Sequence, residues 1–197
     1  MLAGVDHSAL DDGRLMCLYA DGEVAAFEEI YSRHRAPLWR FLLRNLRDEA
    51  ATADVFQETW ARVIANRERY RPTAAYGTWL YRIAHNCCVD HWRRSGRAAR
   101  RNVDADAALL ECIPDERNVG PAEQAAGEQQ FAALEAAVAA LPDEQRSAFL
   151  MYIEAGLSIA DIAAATAVGP ETAKSRLRYA TAKLREAMSA REQGNPT

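Results

Sequence analysis

Three groupings of side chains in this sequence could do chemistry. The first lies between Thr78 and Arg94, a stretch that begins with aromatics, carries Arg82 and Asn86, and ends in Arg93 and Arg94. Aromatic rings next to a polar, cationic face suit single-stranded nucleic acid, because rings stack on bases and cations hold phosphates. An ordinary core helix with a solvated basic end would carry the same residues, and this stretch alone leaves both readings open. The second grouping is Asp54, Gln57 and Glu58, at i, i+3 and i+4 on one helix face. Paired carboxylates can serve acid/base catalysis or a metal, but no partner His or cleft signal accompanies them. They equally form a solvated face or a docking surface for a basic partner. The third is Lys174, Ser175 and Arg178, with Thr172 before them and Arg176 and Tyr179 flanking. Lys and Arg contact guanine edges or phosphates, and Ser and Thr add short hydrogen bonds.

These groups need helices to position them. Leu80, Ile83, Ala84 and Cys87 repeat at i, i+3, i+4 and i+7, the stripe of a buried helix face, so Arg82, Asn86 and Arg93 point the other way. Upstream, Ile30, Tyr31, His34, Leu38, Phe41 and Leu42 also keep helical spacing, and Pro37 implies a kink or a restart. His34 reads as a packed or partly exposed side chain rather than a ligand. A further helix is expected from about Asp48 to Arg69, with Phe56, Trp60, Val63 and Ile64 inward. Residues up to about Gly22 read as a mobile lead-in, part of which could be a short helix.

After Gly96 the composition turns to Ala, Asp, Glu, Gly and Pro with little periodicity, and positions 98–129 read as a linker. A flexible chain of roughly 30 residues spans about 30 Å r.m.s., enough to hold DNA elements one to two helical turns apart at about 34 Å per turn. Beyond it Leu134, Val138 and Leu141 stripe one helix. Pro142 opens another, with Phe149, Tyr152 and Ile153 inward and Gly156 as its stop. Ser158 with Asp161 nearly matches a capping box. Ile159, Ile162 and Ala163 then face inward, Ala167-Val168-Gly169 turns, and Pro170 starts a last helix striped by Ala173, Leu177, Ala180, Leu184 and Met188. Short helix, Gly-containing turn, second helix is the helix-turn-helix pattern.

Composition bounds the rest. The chain has 197 residues and a formal net charge of −4. That total argues against a nucleic-acid binder, but the charge is segregated: acids gather near the N-terminus and after Asp104, bases at Arg93–Arg101 and Lys174–Arg185. No apolar run reaches membrane-spanning length and no signal peptide is recognisable, so a soluble cytoplasmic protein is expected. Four cysteines (Cys17, Cys87, Cys88, Cys112) lack CxxC spacing and suit neither a disulfide framework nor a standard zinc site. A metal held by His85, Cys88 and His91 is disfavoured, because i, i+3, i+6 sweeps around a helix. Cys87 with His91 offers only two ligands.

Three motifs together resemble the bacterial sigma-70 family, in its extracytoplasmic-function (ECF, group IV) branch. They are Asp54-Val55-Phe56-Gln57-Glu58-Thr59-Trp60; Thr78-Trp79-Leu80-Tyr81-Arg82-Ile83-Ala84 running through Asn86 and Asp90 to Arg93-Arg94; and Leu141-Pro142 with a helix-turn-helix ending Glu171-Thr172-Ala173-Lys174-Ser175-Arg176-Leu177. The resemblance implies an all-α chain of two small helical domains joined by a flexible linker: a region 2 domain over 23–97, the linker over 98–129, and a region 4 helix-turn-helix domain over 130–190. It further implies a promoter-specificity subunit, without enzymatic activity or cofactor, that binds core RNA polymerase through the β′ clamp helices and the β flap. Asp54, Gln57 and Glu58 match the clamp-docking helix. Tyr70, the loop through Tyr76, and Asn86 match the pocket for a flipped base of the −10 element, and Arg71, Trp79, Arg82, Arg93 and Arg94 join them in melting. Thr172, Lys174, Ser175, Arg176, Arg178 and Tyr179 fall on the helix that reads the −35 element. An anti-sigma factor is the implied regulator. Ala173 and Tyr179 depart from the family pattern, the first implying looser packing of the recognition helix and the second leaving a phosphate contact in question. A stand-alone helix-turn-helix regulator is the alternative, and it leaves the acidic face and the arginine-ended helix without a role.

Overall fold

The computed structural model describes residues 6–96 and 121–193, the side chains of 121–130 and 190–193 excepted. Every regular element among them is helical. A first unit contains α1 (Asp12–Ala20), α2 (Val24–Leu46), α3 (Glu49–Ala65) and α4 (Tyr76–Arg94), with short 3-10 turns at His7–Ala9 and Arg67–Arg69. A second contains α5 (Pro121–Ala140), α6 (Asp143–Ala155), α7 (Ile159–Thr166) and α8 (Pro170–Gln193).

Local chemistry sets the boundaries. Asp11 and Asp48 cap α1 and α3, accepting from the amides of Arg14 and Ala51, each at 2.9 Å. Ser158 and Asp161 complete the capping box at α7, each side chain accepting from the other's backbone amide. Gly156 ends α6 at φ 63°, and Ala167 ends α7 at φ 54°. The left-handed conformation is free for the glycine but costs Ala167 about 1 kcal/mol.

Several sequence expectations are corrected. The residues before Gly22 include α1, whose Leu15 and Met16 are fully buried against α2. α2 runs unbroken through Pro37, because Ile30 on one side and Leu38, Phe41 and Leu42 on the other are all buried and hold the line of the helix. Ile64 is exposed, and Thr52, Val55 and Thr59 take the inward positions of α3 beside Trp60 and Val63. Pro142 is the N-cap of α6 rather than its first residue. Tyr152 and Ile153 are each 46 % exposed, while Arg146, Ser147, Ala148, Leu150 and Met151 are buried. The reason is that α6 is covered on two sides, by α2 and by α8, so its polar edge is buried as well as its apolar one. α5 begins at Pro121, inside the span read as linker. Positions 98–120 lie outside the described residues, with Arg97, Arg100, Arg101 and Cys112. Ala173 is fully buried.

The two units also pack on each other, α2 along α6 and α4 along α7. A groove of about 950 Å³ opens beside this seam. Its apolar lining includes Leu43, Phe131, Leu134 and Ile153, all partly or well exposed.

Candidate nucleic-acid and polymerase interface

The aromatic residues ahead of α4 form a cluster. Tyr70 meets Trp79 edge-on at 5.1 Å and Tyr76 at 6.1 Å between ring centroids, and His34 of α2 lies 5.1 Å from Tyr76. Tyr70 is 5 % exposed and Tyr76 3 %, whereas Trp79 is half-buried. Burial pushes both phenols upward, with Asp12 adding to the shift, so both are neutral. Their hydroxyls are buried without a hydrogen-bond partner. The two tyrosines therefore form the buried side of the cluster, and Trp79 with the loop 71–75 forms its accessible side. Arg71 braces that loop by donating to the carbonyls of Glu68 and Tyr70 at 2.9 and 2.8 Å.

Further along α4, Arg82, Asn86 and Arg93 are exposed at i, i+4 and i+11, one face of the helix. Arg94 turns instead toward α3 and lies 3.4 Å from Glu58. Glu58 also pairs with Arg62, which reaches Asp90 at 3.1 Å, and Asp90 in turn pairs with Arg93 at 3.0 Å. This chain of ions fixes the end of α4 on α3. Asp54 and Gln57 stay exposed beside it. The acidic face thus divides into two free members, Asp54 and Gln57, and a third, Glu58, already engaged.

On α8, Thr172 and Lys174 are exposed, and Ser175, Arg176, Arg178 and Tyr179 are half-buried. Arg176 forms an ion pair with Glu144 of α6, which makes it a tie within the second unit rather than an open cation. The Arg178 guanidinium lies 5.2 Å from the ring centroid of Tyr179, a cation–π contact that holds it over the helix surface. In the first turns of this helix the cationic character that Arg176 does not tie up rests on Lys174 and Arg178.

His85 and Cys88 are buried and His91 is half-buried. Among the described residues no group of three or more His, Cys, Asp or Glu side chains is placed to hold a metal ion. Burial pushes the Cys88 thiol far up, so it is protonated. Among the described residues no helix is long and apolar enough to cross a membrane.

Sequence reasoning missed the polar residues between the units: Asn45, Thr78, Arg146, Ser147, Glu154 and Asp161. Their partners lie 83 to 114 positions away, beyond any local pattern. The only hint was a polar residue, Arg146 or Asn45, set inside an otherwise apolar stripe.

Comparison with known proteins decides the family. The sigma-70 region 2 family matches residues 30–98, and the sigma-70 region 4 family matches residues 131–184. The ECF RNA polymerase sigma factor SigL of Mycobacterium tuberculosis is 34 % identical over 172 residues, covering 84 % of this chain and 90 % of that one. CarQ, an RNA polymerase sigma factor of Myxococcus xanthus, is 31 % identical over 88 % of this chain and 95 % of its own. The chain belongs to the ECF sigma factors of the sigma-70 family.

Solved structures agree on the fold. CnrH, in complex with the cytosolic domain of CnrY, matches this ECF sigma factor with a TM-score of 0.65 at 21 % identity, over 91 % of this chain and 97 % of that one. The sigma factor RpoE of Bartonella quintana, in complex with the anti-sigma factor NepR, matches with a TM-score of 0.62 at 19 % identity, over 83 % and 96 %. As a sigma factor the chain serves transcription initiation, and the stand-alone regulator is not favoured. α7 and α8 as far as Leu184 lie within the region 4 match, and the aromatic cluster and α4 lie within region 2.

Proposed function

We propose that this sigma factor docks on core RNA polymerase through Asp54 and Gln57 of α3, with Glu58 held beside them. It reads the −10 element with Trp79, Arg82, Asn86 and Arg93 over a wall of Tyr70 and Tyr76, and with Arg71 and Arg94 at the margins. It reads the −35 element with Thr172, Lys174, Ser175 and Arg178, while Tyr179 holds Arg178 and Arg176 holds the helix. Units bounded near 23–97 and 130–190 carry the two readings. The catalytic site belongs to the polymerase, and the protein works in the cytoplasm without a cofactor.

The observation that carries this reading is the placing of two exposed basic faces on different helices, α4 and α8, with an acidic face beside the first. Stacking returns about 1–3 kcal/mol per base, enough to offset the few kcal/mol that flipping costs. An anti-sigma factor controls the protein in this proposal, as NepR is the anti-sigma factor bound to the similar RpoE. The apolar groove beside the seam fits a helix of such a partner with one apolar face.

The test is transcription in vitro with core polymerase over a bank of promoters, alongside titration of the chain against core. Promoter-dependent transcripts and saturable core binding are expected. Their joint absence would remove the proposal.

A further inference from the structure

The N-terminal helix α1 lies behind the loop that follows Tyr70. Gly13, in its first turn, faces that loop: a Cβ there would lie 3.4 Å from Tyr70 Oη and 3.9 Å from Pro72 Cβ, with Asp11 Oδ1 at 3.1 Å. Further along, the Arg67 guanidinium lies 6.0 Å from the centroid of the Tyr19 ring, which ties α1 to the 3-10 turn ahead of Tyr70. α1 precedes the region 2 match, which begins at residue 30.

Two features decide which side yields when this contact is crowded. α1 is fixed, because Leu15 and Met16 are fully buried and Asp12 is held by Arg33 at 2.9 Å and by His34 at 2.7 Å. The loop 71–75 is exposed along its whole length, and its own bonds are local: Arg71 donates to the carbonyls of Glu68 and Tyr70, and the Thr73 amide to that of Arg71. Tyr70 Oη has no hydrogen-bond partner among the described residues, so it meets Gly13 by contact alone. Glycine is a poor helix residue. At this position the missing side chain is what lets the loop settle against α1.

We propose that α1 is the backstop of the −10-reading loop and that Gly13 is a positioning residue, setting the distance at which Tyr70 and Pro72 rest. Gly13 acts through Tyr70, and Tyr70 in turn sets the ring of Trp79, 5.1 Å away. The part played in −10 reading rests on the sigma-factor assignments above; the support of the loop by α1 does not. A misplacement of about 1 Å can cost a hundredfold where groups must align, so a side chain that moves the loop by a fraction of that is expected to cost about tenfold.

The test compares the full chain with Gly13→Val, below the melting transition of both. In the free chain the amide NMR signals of Arg71 and of Thr73 to Tyr76, which lie near the rings of Tyr70, Tyr76 and Trp79, are expected to shift, while those of α6 stay in place. Signals that move only within α1 overturn the backstop. With core polymerase, a promoter selected from the bank carries 2-aminopurine next to the −10 base that flips, and its fluorescence reads the opening. Gly13→Val should slow the rise about tenfold and leave core affinity within about twofold. Base preference separates position from stability: the variant should discriminate less among the four bases at the flipped site and keep its preference at −35, whereas a chain that is only less stable loses activity on all promoters alike. Adding Tyr70→Phe removes the atom that the new side chain meets, so the double variant should recover part of the loss. Gly13→Ala, whose Cβ presses mainly on the exposed Asp11 carboxylate, should fall between wild type and Gly13→Val, and it carries the same comparisons if the valine chain loses helicity. A shifted loop with unaltered opening and base preference, or a double variant that recovers nothing, overturns the positioning role. A shifted loop in a protein that never binds core, wild type included, sinks the sigma-factor assignments and leaves the backstop standing.

Discussion

Nε2 of His34 lies 2.7 Å from Oδ2 of Asp12, so a side chain of α2 grips the first turn of α1. Arg33 takes the other carboxylate oxygen at 2.9 Å and also donates to the carbonyls of His7, Ser8 and Leu10. The N-terminal segment is therefore fastened by two adjacent residues. The His34 hydrogen bond is the main reason Asp12 sits below the usual carboxylate range, with Arg33 adding to it against the opposing effect of burial.

That shift has a pH consequence. A carboxylate with a lowered folded pKa adds stability above its unfolded value, about 3.9, and loses it as pH falls through the folded value. The melting temperature should therefore fall below about pH 4, and Asp12→Asn should flatten that part of the profile while lowering stability at neutral pH. Thermal melts from pH 7 to pH 3 on both chains check this. Parallel profiles would show that the grip carries no weight.

Tyr70→Phe should leave stability unchanged or slightly raised, because the buried hydroxyl has no partner to lose. Tyr70→Ala should cost about 3–5 kcal/mol through the cavity it opens. Chemical denaturation separates the two. If Tyr70→Phe were as damaging as Tyr70→Ala, the hydroxyl would be doing a job that this packing does not explain.

Arg146→Ala should cost about 3 kcal/mol, because the guanidinium serves the carbonyls of Asn45, Ala139 and Leu141 together with Asp143, and of the three carbonyls only Ala139 keeps a second side-chain donor, Arg47 at 2.7 Å. Arg146→Lys should recover only part of this, since one ammonium cannot reproduce the fork. Equal stabilities for the two variants would contradict this account.

Lys174→Ala and Arg178→Ala should each weaken binding to a −35 duplex by about 1–3 kcal/mol and leave core binding intact. Arg176→Ala should do the reverse of a DNA contact. It should lower the melting temperature through its lost pair with Glu144 and leave the salt slope of DNA binding unchanged. A salt slope that falls by about one on losing Arg176 would place it on a phosphate instead.

Asn86→Ala removes an exposed side chain, so it should leave folding and polymerase docking alone and reduce open-complex formation. Permanganate reactivity of thymines near the start site reads the opening. Unaltered reactivity would take Asn86 out of the −10 pocket.

Much of this was legible in the sequence, for identifiable reasons. The capping box at Ser158 and Asp161, the stop at Gly156 and the stripe of Ala173, Leu177, Ala180 and Leu184 are local patterns, and local patterns are what a sequence displays. The exposure of Arg82 and Asn86 followed from the burial of Leu80, Ala84 and Cys87 on the same helix. What failed was anything set by a distant partner. Tyr152 and Ile153 satisfied an inward spacing, but α2 and α8 together claim the other sides of α6. Tyr70 and Tyr76 have the chemistry of a stacking surface, yet the packing of His34 and Trp79 around them turns both into its support. Arg176 looked like its neighbours until Glu144, 32 positions away, engaged it.

The adjacent thiols of Cys87 and Cys88 are sealed in the middle of α4 and held in their protonated form. Oxidants and alkylating reagents in the solvent therefore find them unreactive while that helix keeps its place. Each becomes a clock instead: the rate at which a maleimide or iodoacetamide consumes Cys88 reports how often α4 leaves its packing, without any label or engineered site.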